Sequence, residues 1–266
     1  MGAYYWSYPW ICTSVYLILK LVQVLLPCLP KSYRMKLYSV IICLGFLFCS
    51  VSCKDISGEE LLDRAIAYHD PSGEWPTFNG TLAISMVMPK GQARESNIQI
   101  NLPQEYFSIT AKRDTLVTTY TLDKQACETS IKEIPTYSKR TPCETAVLYK
   151  DYYTYLYGLP MKLKDPGTTI SKTVVTQNFK GKEYLMLRAT YDKEVGSDVW
   201  QFYFDPTTYA MEVYQFFKAD PGGAGKNTGE YILLKDIKTI NGIKFPKERA
   251  WYYNKDDGYL GTDILN

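Results

Sequence analysis

Two periodicities divide this chain. From Ser57 the apolar residues recur at helical spacing, with Leu62, Ala65, Ile66 and His69 on one face. Ser57 and Glu60 stand at capping-box spacing ahead of that stripe, and Asp70-Pro71 stops it. After Trp75-Pro76 the period falls to two. Leu82, Ile84, Met86 and Met88 alternate with Thr81, Ala83, Ser85 and Val87. Ile98, Ile100 and Leu102 continue the alternation, then Phe107, Ile109 and Ala111, then Leu116, Thr118, Tyr120 and Leu122. Pro89-Lys90-Gly91 and Lys112-Arg113-Asp114 supply turn chemistry between them. A second helix is predicted from about Glu144 to Tyr157, ended by Gly158-Leu159-Pro160. Strands are predicted again at Thr169–Phe179, Tyr184–Tyr191, Val199–Phe204, Ala210–Phe217, Tyr231–Ile240 and Ile243–Tyr253. Asp205-Pro206-Thr207-Thr208 and Asn241-Gly242 are the clearest hairpin loops, the latter suited to a type I′ turn.

The pattern is α+β and mostly antiparallel β, with about ten strands and two helices. A sheet that long does not stay flat. The expectation is a strongly curled, incomplete β-barrel covered by the N-terminal helix and the short central helix.

The residues before this pattern have a different composition. The whole chain of 266 residues carries a formal net charge of +2, but residues 1–52 contain Lys20, Lys31, Arg34 and Lys36 and no acidic residue. The remainder holds 26 basic and 28 acidic residues, so its balance is −2. Met35-Lys36, the apolar run from Val40 to Phe48 and Ser50-Val51-Ser52 make a secretory signal over residues 35–52. Cys53 then stands where a lipoprotein signal would be cleaved and acylated; an ordinary signal peptidase could cut the same bond. Residues 1–34 read either as a start-site extension or as an N-terminal membrane segment built on Ile11 to Pro30. Residues 53–266 read as a single domain.

Chemistry is sparse. One histidine, His69, rules out metal sites built on several imidazoles and leaves one candidate base for a nucleophilic dyad. A buried or capping imidazole explains it best. Phosphate-binding, dinucleotide, zinc-protease and nucleophile-elbow motifs are missing from the sequence. No catalytic residue, metal ligand or cofactor is therefore assigned, and no basic stripe points to nucleic acid. Five of the seven cysteines lie at or before Cys53, leaving Cys127 and Cys143 either to pair in an oxidising compartment or to stay free.

Aromatic content carries more information. Trp200, Phe202 and Phe204 share one face of a strand whose other face carries Val199, Gln201 and Tyr203. Large apolar groups on both faces suggest a core on one side and a cavity or cover on the other. Leu82, Ile84, Met86, Met88, Trp200, Phe202 and Phe204 are the candidate cavity lining for an acyl chain or other apolar ligand. A filled core is the alternative.

An exported start, one N-terminal helix, antiparallel strands, a short helical insert and more strands together resemble the LolA/LolB-like periplasmic lipoprotein-carrier superfamily. Asp70-Pro71, Trp75, Phe78-Asn79-Gly80, Tyr157 to Leu163 and Tyr203-Phe204-Asp205-Pro206 also resemble uncharacterised lipoproteins of Bacteroidetes-type bacteria. The resemblance covers Ile56 to the C-terminus. It implies an incomplete barrel around an apolar cavity, a cell-envelope (periplasmic) location and binding rather than catalysis. Lipidated Cys53 would tether the protein, at the outer membrane, where soluble carriers diffuse. The alternative function is an envelope scaffold contacting a protein or glycan.

Overall fold

The computed structural model describes residues 55–124, 126–131 and 139–266. The leader, its export signal and Cys53 lie outside these residues.

Among these residues, two α-helices and 13 strands make up the main elements. Helix α1, Gly58–His69, begins where expected: the Ser57 side chain accepts the Glu60 N–H at 3.2 Å. Its apolar side buries Leu61, Leu62 and Ala65. Asp70 ends the helix and starts the next turn, because its carboxylate accepts the N–H groups of Glu74 and Trp75 at 2.8 and 2.9 Å. Five strands follow as a meander: β1 Asn79–Val87, β2 Arg94–Asn101, β3 Tyr106–Arg113, β4 Leu116–Asp123 and β5 Ala126–Ile131. Helix α2, Pro142–Gly158, has a complete capping box between Thr141 and Glu144 with Pro142 in its first turn. Strands β6 Thr168–Ile170, β7 Val175–Phe179, β8 Lys182–Tyr191, β9 Val199–Phe204 and β10 Met211–Phe217 come next. The chain ends with β11 Glu230–Ile240, β12 Ile243–Tyr253 and β13 Tyr259–Leu265.

All strand pairs are antiparallel, in the order β5-β4-β3-β2-β1-β13-β12-β11-β10-β9-β8-β6, with β7 also on β8. The last strand thus returns to the first and joins the two halves. The outermost strands, β5 and β6, do not pair, so the sheet is curled and unclosed as expected. They are consecutive in the chain, and α2 lies between them. The segment carrying α2 therefore runs from one free edge of the sheet to the other.

Several boundaries differ from the sequence expectation. β5 and β13 were not expected. The predicted strand Thr169–Phe179 is broken at 171–174, where Gly58 of α1 donates to Lys172 O at 3.0 Å. Leu102 opens a 3-10 turn, Leu102–Gln104, instead of extending β2. Asn241-Gly242 forms the expected primed turn, both residues having positive φ of 50° and 82°. A bulge between Met211 and Val213 shifts the parity of β10, sending Met211 into the same core as Tyr214 and leaving Glu212 outside with Lys182. Strict period-two alternation would place Ala210 and Glu212 on the face of Tyr214, and the bulge breaks that parity.

One core fills the concave side. Ile98 and Ile100, Phe107 and Ile109, Leu187, Tyr214, Ile232 and Phe245 meet the underside of both helices there. Each such side chain contributes roughly 1.5–3 kcal/mol by leaving water. A smaller cluster on the convex side, Tyr184, Met186, Tyr203 and Val213 against Phe179 and Leu233, explains why β9 is apolar on both faces.

Candidate functional site

The concave face beneath α2 is the candidate site. It unites most of the residues singled out from sequence. Leu82, Ile84, Phe202 and Phe204 are fully buried in the one core. Trp200 is half-buried at its margin, stacked on Phe202 and Phe216 at centroid distances of 5.8 and 5.1 Å. Met86 is half-buried on β1, and Met88 lies just past the strand's end. Cys127 on β5 and Cys143 in the first turn of α2 are joined by a disulfide, Cα–Cα 5.9 Å. That bond fixes the start of α2 to one free edge of the sheet.

The underside of α2 is dominated by tyrosines, with Ala146 and Leu156 beside them. Tyr149, Tyr153 and Tyr157 run along it, with Tyr149 against Tyr120 and Tyr157 against Phe245. Tyr155 reaches Trp200 at 5.5 Å and hydrogen-bonds the Tyr191 hydroxyl. At the end of the helix Gly158 admits the indole of Trp75, which a Cβ there would meet at 2.4 Å. Each tyrosine buries a ring and must also place a hydroxyl. Several of those hydroxyls converge on charge.

Across the sheet, strand register sets Arg94 of β2, Met86 of β1, Asp263 of β13 and Arg249 of β12 side by side. Arg249 is only 1% exposed, its guanidinium lies 3.7 Å from the centroid of the Tyr157 ring, and Nη1 donates to Pro246 O at 2.9 Å. Arg94 is half-buried and donates to the Tyr153 hydroxyl at 2.8 Å. Asp263 is buried and makes no ion pair with either guanidinium among the described residues. Burial raises its pKa against the opposing pull of Arg249 and Arg94. Burial likewise pushes the Tyr157 and Tyr214 hydroxyls well above the usual phenol range, so both stay protonated donors.

Seven polar side-chain atoms here are buried without a hydrogen-bond partner among the described protein atoms. They are Arg94 Nε, Ser96 Oγ, Tyr157 Oη, Tyr214 Oη, Arg249 Nε, Trp251 Nε1 and Asp263 Oδ1. Six are donors or can act as donors. Two open clefts lie elsewhere: one of about 360 Å3 beside Tyr68, Met211 and Ile237, and one of about 380 Å3 beside the disulfide and Val147. Polar groups facing such clefts keep their water, whereas each orphaned interior group costs about 1–3 kcal/mol. The interior is therefore where the sequence has accepted a cost.

His69 performs a structural task. It is fully buried at the end of α1, Nδ1 lies 2.7 Å from Lys244 O, and Nε2 accepts the Met211 N–H at 3.0 Å. Both ring nitrogens are engaged with backbone, tying α1 to β12 and β10. No group of three potential metal ligands occurs among the described residues.

Sequence reasoning missed the charged row. Arg249 follows the inward residues Ile243 and Phe245 at the same parity, but exposed Lys247 interrupts that alternation, so sequence gave little sign that Arg249 is buried. Asp263 and Arg94 gave none, since only pairing through β13 brings them together.

A family model covers nearly this whole architecture, matching residues 35–265. The chain belongs to the Family of unknown function (DUF6503). No curated protein matches it. Among solved structures it is similar to a LolA superfamily protein from Nitrosomonas europaea, at 9% identity over 79% of this chain and 92% of that one, TM-score 0.49. It is also similar to a DUF1329 family protein from Desulfovibrio piger, at 9% identity over 80% and 92%, TM-score 0.44.

Proposed function

We propose that this chain is an exported, lipid-anchored protein of the cell envelope that binds an acyl chain or other apolar ligand between α2 and the concave sheet face, without catalysis. The observation that carries this reading is the spanning connection: α2 bridges the two free edges of an unclosed sheet and covers an apolar concave face. A core assembled between a sheet and a separately attached helix can be opened without breaking any strand pair. In this structure the tyrosines of α2 fill the space, so entry of a ligand requires α2 to lift. Both ring nitrogens of His69 are engaged with backbone, so this imidazole is not free for proton transfer.

The sequence of residues 35–52 supports export from Met35, with Cys53 as the acylated N-terminus at the outer membrane's periplasmic side. Intact mass of full-length protein expressed in a lipoprotein-processing host, with lipid extraction, tests this. The expected result is a chain starting at an acylated Cys53 and carrying extractable apolar ligand. A chain that keeps residues 35–52, or one that never releases lipid from any membrane preparation, would count against it.

One observation favours a second reading, contact with a protein partner. Val147 and Leu148 on the outer side of α2 are 43% and 44% exposed. On that reading the core stays closed and no ligand is found.

A further inference from the structure

The orphaned interior groups stand out by where they lie and not by their number. Natural interiors leave only a few buried polar atoms unpaired per 100 residues, spread over the fold. Here they gather under one helix and around two guanidinium groups. Tyr153 already holds Arg94, and Tyr157 stacks on Arg249, so α2 touches both cations. The one carboxylate in the row cannot neutralise both, and the hydroxyls of Tyr157 and Tyr214, the Ser96 hydroxyl and the Trp251 indole N–H add neutral donors. Donors outnumber acceptors, and positive charge exceeds negative. Such a set is complementary to an anion.

Resting on the apolar-ligand reading above, we propose that the ligand is an amphiphile with a single anionic head, a carboxylate or a phosphate monoester, held by Arg94 and Arg249 with Tyr157, Tyr214 and Trp251 as further donors. The head sits on the row Arg94–Met86–Asp263–Arg249 once α2 lifts. The tail lies along the apolar concave face toward Ile84, Phe202 and Trp200. A guanidinium pair suits a carboxylate or phosphate because each presents a planar fork of N–H groups. Asp263 faces the same space and opposes added negative charge, which favours a carboxylate over a phosphate monoester, largely a dianion at neutral pH.

Binding to the mature domain is read by titration calorimetry, with Trp fluorescence as a second readout. The probes are palmitate, lysophosphatidate carrying one acyl chain, and uncharged methyl palmitate. Either anionic probe should bind at least about tenfold more tightly than the ester, the factor that one charge-assisted hydrogen bond supplies. Whichever anion binds more tightly identifies the source of the head. Arg94→Met, at a half-buried site where folding tolerates the change, should reduce that preference about tenfold while leaving affinity for the ester within twofold. Arg249→Met should do the same, with folding checked by near-UV circular dichroism. Equal affinity for palmitate and its ester overturns the anionic-head assignment and leaves the apolar-ligand reading standing. An Arg94→Met variant that keeps the full preference also overturns it. No binding of any probe, with α2 shown by hydrogen exchange to open, overturns the apolar-ligand reading and this inference with it.

Discussion

At the scale of single residues, His69 shows how burial turns a reactive side chain into a structural one. Burial lowers its pKa from 6.5 to about 4, outweighing the hydrogen bond to Lys244, and nearby Lys244 and Arg249 push the same way. The folded state keeps the ring neutral while the unfolded chain takes up a proton below pH 6.5. Stability contributed by neutral His69 is therefore complete above pH 6.5 and falls as pH drops toward 4. The loss approaches about 3 kcal/mol. Urea midpoints at pH 7.5 and 4.5 check this: wild type should lose about 2–3 kcal/mol more over that interval than His69→Gln, whose side chain does not titrate. Equal losses in the two proteins would remove His69 as the source. The residue was legible in sequence as the last position of an apolar helical stripe. Its two partners were not, because Lys244 and Met211 lie more than 140 positions away along the chain.

At the scale of elements, the most informative piece is α2. Its start was misplaced by two or three residues because the strongest cue, Thr141-x-x-Glu144 with Pro142 between, is a capping box that precedes the apolar pattern. Its weak amphipathicity follows from tyrosines on the inner side and Val147 and Leu148 on the outer side. The Cys127–Cys143 bond anchors this helix to β5, across 16 positions. Closing a loop of that size stabilises the folded chain by about 3 kcal/mol in the chain-entropy account. Reduction, or the double change of Cys127 and Cys143 to Ser, should lower the melting temperature by roughly 6–12 °C for a domain of this size. Calorimetry with and without reductant reads the shift, and hydrogen exchange should place the largest loss of protection in β5 and α2. Uniform loss across the sheet would instead mean that α2 is held mainly by its tyrosines.

At the scale of the whole molecule, the topology puts two kinds of contact into one fold. Twelve strand pairings hold the sheet as a continuous unit, whereas α2 is held on it by side-chain packing, the Arg94–Tyr153 hydrogen bond and the Cys127–Cys143 bond at its start. Local opening should follow that division. Hydrogen exchange by mass spectrometry is expected to show α2 amides exchanging through low-energy openings while those of β1, β12 and β13 exchange only near global unfolding. An anionic amphiphile that binds beneath α2 should slow exchange in α2 and leave the central strands unchanged. If α2 exchanges as slowly as β12 in the free protein, the helix is part of a closed core, and the protein-partner reading gains.

Local chemistry was enough to decide the α+β class, the antiparallel order of hairpins, both helices and the curling of a sheet too long to stay flat. Period-two alternation, the Ser57 cap and the Asn241-Gly242 turn act over a few residues and can be read in place. Candidate lining residues such as Ile84 and Phe202 were legible for the same reason: alternation assigns a face. Tertiary structure alone decided which faces meet. β13 had no strong strand signal, yet by pairing with both β1 and β12 it sets Asp263 between Arg94 and Arg249. The bulge after Met211 reversed a parity that alternation cannot reveal. A charged site built from five strands and one helix exists only when long-range register is fixed, because no single segment contains more than two of its members.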